Sequence, residues 1–144
     1  MITIQQITTD DVLYTAEQAL RNKILLRPIG VPDHAWEMHD QTAWHFVALE
    51  NQVLIGCVVL HPLNPEKTTA QLMQMAVETN QQGKGIGSKL VKTLLSFCKK
   101  NNVKQVVCHA RENAIQFYLN QGFEIYDEPF EEVGILHRHM RKQV

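Results

Sequence analysis

No stretch of this sequence approaches the ~18 consecutive apolar residues that a membrane-spanning helix needs, and the opening Met1-Ile2-Thr3-Ile4 lacks the basic start and apolar core of a secretory signal. Neither sign of charge is in excess. Fourteen lysines and arginines stand against fifteen aspartates and glutamates, a formal net charge of −1, so no basic field draws in nucleic acid and no acidic field favours a cationic partner. Cysteine is scarce: Cys57, Cys98 and Cys108 are odd in number, show no C-x-x-C spacing and sit in apolar runs. Free buried thiols are expected, and with them a reducing, cytoplasmic setting. Repeats and linkers are missing too, and 144 residues suffice for one domain with a proper core but not for two, so residues 1–144 are expected to form a single domain.

What is present is a regular succession of elements. Ile2 and Ile4 alternate with polar residues like a half-buried strand, and Thr8-Thr9-Asp10-Asp11 offers capping oxygens to a helix. Up to about Leu26, Val12, Leu13, Ala16, Ala19, Leu20 and Ile24 recur at helical spacing, with Glu17, Gln18, Arg21 and Asn22 expected on the outer side of an amphipathic surface helix. Pro28 and Pro32 stop it, and a loop is expected to about Thr42. That loop gathers Asp33, His34, Glu37, His39 and Asp40, but the two histidines are five apart and no third ligand is compelling, so no metal site is assigned. A solvated loop near a substrate entrance is expected instead, with Trp36 and Met38 lining a pocket or pinning the loop to the core.

Beyond the loop, Ala43 to Leu49 and Val53 to Leu60 form a hairpin, Thr68 to Val77 a third strand of this group, and Leu90, Val91, Leu94, Leu95 and Cys98 the buried stripe of a helix. Val103 to Ala110 reads as a central strand, followed by a helix that Gly122 closes. A strand begins at Phe123 and stops at Asp127-Glu128-Pro129, and Ile135 to Lys142 forms the last one. The order β-α-β-β-β-α-β-α-β-β predicts an α/β (α+β) chain with a mixed central sheet of about seven strands flanked by helices.

The junction between the third strand of that group and its helix, Leu72 to Leu90, organises the rest. Gly83, Gly85 and Gly87 alternate with other residues, so the backbone is free to take positive φ and present N–H groups, and the helix that follows adds the positive end of its dipole. Such a loop suits a phosphate. A Walker A loop is excluded because Lys84 lies between glycines, and a dinucleotide fingerprint because Ser88 stands where its third glycine belongs and the next strand ends without an acid. Gln82-Gly83-Lys84-Gly85-Ile86-Gly87 fits Gln/Arg-x-x-Gly-x-Gly/Ala, and Asn113-Ala114-Ile115-Gln116-Phe117-Tyr118-Leu119-Asn120-Gln121-Gly122-Phe123 fits Asn-x-x-Ala-x-x-Phe-Tyr-x-x-x-Gly-Phe except that its alanine directly follows the asparagine. On these two elements the chain resembles the GNAT family of acetyl-CoA-dependent N-acetyltransferases. The likeness extends over the whole order of elements, with specific motifs confined to Leu72 to Phe123.

The resemblance implies acetyl-CoA as cosubstrate without a metal, and a small-molecule amine as acceptor. It places the pyrophosphate on the backbone of Gln82, Gly83, Lys84, Gly85, Ile86, Gly87 and Ser88, and the pantetheine arm beside Met75, Ala76 and Val77, with Asn113 and Phe117 near the cofactor. Burial explains Met75 and Val77 equally well, and Asn113 is also placed to cap a helix. Tyr118 is the candidate acid for the departing thiolate, with a core aromatic as the alternative. The Leu26-Arg27-Pro28 and Ala110-Arg111 segments, and His137 three residues before Met140, look like the small bacterial members that include glyphosate N-acetyltransferase. There Arg27 and Arg111 would grip an acidic substrate and His137 would act as general base. Met73 stands where that subgroup has a further arginine. His139 shares the face of His137 and competes with it, and a solvent-facing histidine on an edge strand is the plain alternative. A protein or peptide acceptor, a coenzyme A-binding module without catalysis, and a homodimer all stay open.

Overall fold

The computed structural model describes residues 1–144. A seven-stranded sheet in the order β1-β2-β3-β4-β5-β7-β6 carries the whole chain. Its strands are β1 (Ile2–Ile7), β2 (Trp44–Glu50), β3 (Val53–Pro62), β4 (Thr69–Val77), β5 (Gln105–Arg111), β6 (Glu124–Glu132) and β7 (Ile135–Gln143), with helices α1 (Tyr14–Arg21), α2 (Ile86–Lys100) and α3 (Ile115–Asn120) between them. Every neighbouring pair is antiparallel except β4 and β5, which are parallel because α2 crosses over between them.

The helices cover both faces of the sheet's first half. On one side Leu90, Val91, Leu94 and Cys98 of α2 pack on Phe46, Val58, Leu60 and Leu72. On the other, Leu20 of α1 packs with Ile7, Val47, Cys57 and Ala76. That double coverage is why β3 reads as an unbroken apolar run: Leu54 to Leu60 are all buried. At the end of α3, Gly122 takes φ +92° and the Phe123 N–H bonds back to the Tyr118 carbonyl, a left-handed helix stop of the kind the sequence predicts.

Two expectations are corrected. The side of α1 predicted to face solvent is buried: Glu17, Arg21 and Asn22 are 0, 2 and 4% exposed, whereas Val12 is 88% exposed and Ala16 and Ala19 face outward. The charges are accommodated because partners wait for them on other elements, as described below. Past Arg21 the helical path continues through a π turn (Asn22–Leu26) and a 3-10 turn (Arg27–Ile29). The second correction concerns β6, which does not stop at Asp127-Glu128-Pro129 but bulges there and runs on to Glu132. Asp127 takes φ +64°, and Pro129 is tolerated because β6 is the outermost strand and needs no donor on its open side.

The pairing of β4 and β5 determines where a site can form. The two strands pair only at Thr69–Gln105, Ala70–Val106 and Gln71–Val107, then separate. A bulge contributes to the separation. Met73 pairs with Val59 and Ala76 with Cys57, which leaves Gln74 and Met75 opposite Val58 alone, and Gln74 takes φ +53°.

Candidate active site

The divergence of β4 and β5 opens a cavity of about 400 Å³. Gln71 to Met75 form one wall and His109 to Arg111 the other, with Trp36, Met38 and His39 of the loop before β2 and Val133 of the β6–β7 turn at its rim. Trp36 and Met38 thus line the pocket, one of the two positions the sequence allows them. Tyr118 of α3 and His137 of β7 complete it, so candidate acid, candidate base and one candidate arginine share one cavity.

Tyr118 is 7% exposed, edge-on to Phe117 and Phe123 with ring centroids 5.1 and 5.5 Å away. Its hydroxyl is held by no side-chain or backbone hydrogen bond, and burial, followed by the nearby Cys108, pushes its pKa up. The phenol therefore stays protonated at any working pH. A proton donor held ready without a competing acceptor is what a departing thiolate requires.

His137 is 5% exposed and lies on an interior strand, between β5 and β6, not on an edge. Its Nδ1 is 2.7 Å from the Ile135 carbonyl oxygen, an acceptor only, so Nδ1 carries a proton and, in the neutral ring, Nε2 is the nitrogen that offers a lone pair. His139 is not among the residues of the cavity: it stacks on Phe130 at 4.2 Å and meets His109 edge-on at 5.0 Å. Arg111 pairs with no carboxylate, although it stands beside the ion pair of His109 and Glu132 (Nδ1 to Oε2 2.8 Å). Arg27 is placed elsewhere. Its Nε and Nη2 engage both oxygens of Asp33 at 3.0 and 2.7 Å on the surface, and it does not reach the cavity.

The glycine loop sits past the C-terminal end of β4, in the position where open sheets of this kind receive ligands. Gly83 and Gly85 take φ +82° and +79°, and Gly85 is the N-cap of α2 without any side-chain cap. No acid occupies the first turn of α2, so its free N–H groups and positive dipole end are open to an anion. Gln82 closes the loop by donating from Nε2 to the Val77 carbonyl at 3.0 Å, while Lys84 stays exposed, 3.3 Å from Gln81 Oε1. Ile86 is a core side chain and can offer a ligand only its backbone, whereas Ser88 Oγ accepts a 2.8 Å bond from Gln121 and keeps its O–H free to donate. A Cβ on Gly87 would lie 3.4 Å from Phe117 and 3.7 Å from the Met75 sulfur; helix, strand and α3 come together there. Ala76 points into the α1 core, Val77 is half-buried, and Asn113 is exposed outside the cavity.

No group of three or more His, Cys, Asp or Glu side chains is arranged to hold a metal ion. None of the cysteines lines the cavity, and burial pushes the Cys98 and Cys108 thiols up to about 12 and raises that of Cys57 further. No helix is long and apolar enough to cross a membrane. Sequence reasoning missed Leu25, Gln71, Gln74, His109, Glu132 and Val133, which carry no motif and are brought to the cavity from four separate segments by the tertiary fold.

Comparison with known proteins agrees with this fold. N-alpha-acetyltransferase 30 of Schizosaccharomyces pombe is 28% identical over 109 residues, 72% of this chain and 73% of that protein. Escherichia coli ElaA superposes with a TM-score of 0.87 at 21% identity, with 99% of each chain covered. A GNAT family acetyltransferase of Elizabethkingia anophelis, solved with acetyl-CoA bound, superposes with a TM-score of 0.74 at 24% identity, covering 99% of this chain and 98% of that one. The family described as acetyltransferase (GNAT) domain matches residues 26–144. The chain belongs to the GNAT family of acetyl-CoA-dependent N-acetyltransferases.

Proposed function

We propose that this single-domain enzyme transfers the acetyl group of acetyl-CoA to a primary or secondary amine of a small anionic molecule, by direct attack in a ternary complex. The observation that carries the reading is one cavity that holds an unpartnered Tyr118 hydroxyl, His137 with Nε2 free, and an Arg111 without a carboxylate. In this reading the backbone of Gln82 to Ser88 binds the pyrophosphate, and Met75 to Val77 flank the pantetheine arm with Phe117 behind it. His137 takes the proton from the amine, and Tyr118 gives one to the departing sulfur. Direct attack is favoured over an acetylated enzyme because every thiol is buried, protonated and outside the cavity. The three free cysteines also suit a reducing cytoplasm.

Arg111 supports an anionic acceptor. Arg111 makes no ion pair of its own, because the Glu132 carboxylate in the same cavity is engaged by His109, so its guanidinium is placed to receive a carboxylate or phosphonate. Of the likeness to the glyphosate N-acetyltransferase subgroup, Arg111 and His137 stand in the cavity, whereas Arg27 is engaged by Asp33 and Met73 replaces an arginine. A different amino acid or amino-phosphonate is therefore the proposed acceptor. The second reading, a peptide α-amine, draws on the 28% identity to N-alpha-acetyltransferase 30. The cavity's volume favours the first, being of the size that encloses a small ligand. Incubating the protein with acetyl-CoA and a panel of amines, amino acids, amino-phosphonates and short peptides, scored for free coenzyme A, decides between them. Release with peptides alone would transfer the assignment to the second reading, and binding of coenzyme A with no release would leave a binding module.

A further inference from the structure

The cavity is backed by a cluster of charges that the reading above does not use. Glu17 and Arg21 of α1, Asp40 of the loop and His45 of β2 are all less than 6% exposed. Arg21 Nη1 lies 2.8 Å from Glu17 and 2.9 Å from Asp40, and His45 Nδ1 lies 2.8 Å from Glu17. The other ring nitrogen, Nε2, is 2.9 Å from the Asp40 carbonyl oxygen. Both ring nitrogens thus face acceptors, which calls for the imidazolium, and the two cations balance the two carboxylates.

A neutral buried cluster is not in itself a function. Two further bonds give this one a direction. Arg21 Nε donates to Gln74 Oε1 at 2.8 Å, and Arg21 Nη2 to the Trp36 carbonyl oxygen at 2.8 Å. Gln74 Nε2 donates to that same carbonyl at 2.7 Å. Arg21, Gln74 and the Trp36 backbone therefore form a closed ring of three hydrogen bonds. Gln74 is the bulge residue of β4 with φ +53°, a region a glutamine seldom adopts, and the ring fixes both ends of its amide. Trp36 belongs to the loop-borne rim of the cavity.

We propose that Gln74 and Arg21 are positioning residues that tie the β4 bulge to the Trp36 segment, so that the acceptor-binding wall keeps a fixed spacing from the strand flanking the thioester. This rests on the acetyl-transfer reading for its kinetic consequence, but not for its structural one. Asp40 and Glu17 saturate the remaining face of Arg21 and keep its fork aimed.

The test uses Q74M, which keeps the volume and loses both bonds, and Q74G, which relieves the positive φ and removes the side chain. Both are also made in a W44F background, since Trp44 packs on Phe97 away from the cavity and Trp36 then is the only tryptophan. Both variants are expected to keep acetyl-CoA affinity within about 2-fold, to raise the acrylamide quenching of Trp36 by about 2-fold or more, and to raise the acceptor KM by about 10-fold with acetyl-CoA KM unchanged. If Q74M does not fold, Q74G carries the test alone. Folded variants with unchanged Trp36 quenching overturn the proposal, as does an acetyl-CoA KM that rises in step with that of the acceptor. If the wild-type protein acetylates no amine, the proposed function fails, and the quenching still decides whether Gln74 anchors the wall.

Discussion

Arg111 and His137 stand directly opposite each other across the β5–β7 ladder, and both line the cavity. The backbone register therefore makes the residues that bear the candidate anion-binding charge and the candidate base direct cross-strand neighbours.

An amine of ordinary pKa is mostly protonated at neutral pH, so attack needs a proton acceptor, and the Ile135 carbonyl leaves His137 Nε2 free for that task. H137A is expected to lower kcat/KM by about 10²-fold or more, to remove the acidic limb of the pH–rate profile, and to leave acetyl-CoA affinity intact by calorimetry. H139A should do none of these, since His139 stacks on Phe130 outside the cavity. The reverse result would move the base to His139.

Y118F deletes one hydroxyl and keeps the ring between Phe117 and Phe123. Its kcat is expected to fall about 10²-fold while the acetyl-CoA dissociation constant stays within about 2-fold. An unaltered kcat would make Tyr118 a core aromatic only.

G85V should abolish acetyl-CoA binding in a protein that still folds. A Cβ at Gly85 meets nothing within 4 Å, so no atom of the chain resists it. The φ of +79° does resist a branched residue, and a shifted N-cap turns the first N–H groups of α2 away from the phosphates. Calorimetry with the folded variant checks this; retained affinity would move the phosphate site off the loop.

R111M is expected to raise KM for anionic acceptors by about 10-fold or more and to leave that for neutral amines nearly unchanged. R27M should leave both alone, because Arg27 is already engaged by Asp33. An amine panel yielding only neutral or cationic acceptors would contradict the role of Arg111.

The buried cluster predicts a pH dependence of stability. Burial lowers the His45 pKa, but the hydrogen bond to Glu17 and the Glu17 charge outweigh it, and the net shift is upward from 6.5. A raised folded-state value stabilises fully below the ordinary imidazole value and loses that contribution as pH rises through the folded value. The urea midpoint of the wild type is accordingly expected to fall as pH rises above neutrality, and H45Q to be less stable at pH 6 with a flatter profile. Equal slopes for the two proteins would remove His45 as the source.

The order of strands and helices was legible because alternation, helical periodicity and the glycine spacing are local. The orientation of α1 was not. Glu17 and Arg21 look like an outer face until they meet Asp40, His45 and Gln74, which lie 19, 28 and 53 positions away along the chain. In the same way, Asp127-Glu128-Pro129 has the composition of a turn, and only the pairing of Tyr126 and Phe130 on either side of it with β7 shows that the strand passes through it. Tyr118, Arg111 and His137 were legible through resemblance alone. That resemblance also named Arg27, whose local partner Asp33, six residues on, holds it on the surface. His109 and Glu132 carry no motif, and only the tertiary fold joins them.

The bulged outermost strand has a bearing on how the protein behaves in a crowd. β6 presents an open row of backbone donors and acceptors, the kind of edge onto which a second chain can add a strand. Yet Glu124, Asp127, Glu128, Glu131 and Glu132 line it, Pro129 interrupts its donors, and the bulge bends it out of plane. Another β6 laid alongside would bring two acidic rows together over a ladder already broken in the middle, so the sheet resists growth at this end and the strand serves as a guard against edge-to-edge aggregation.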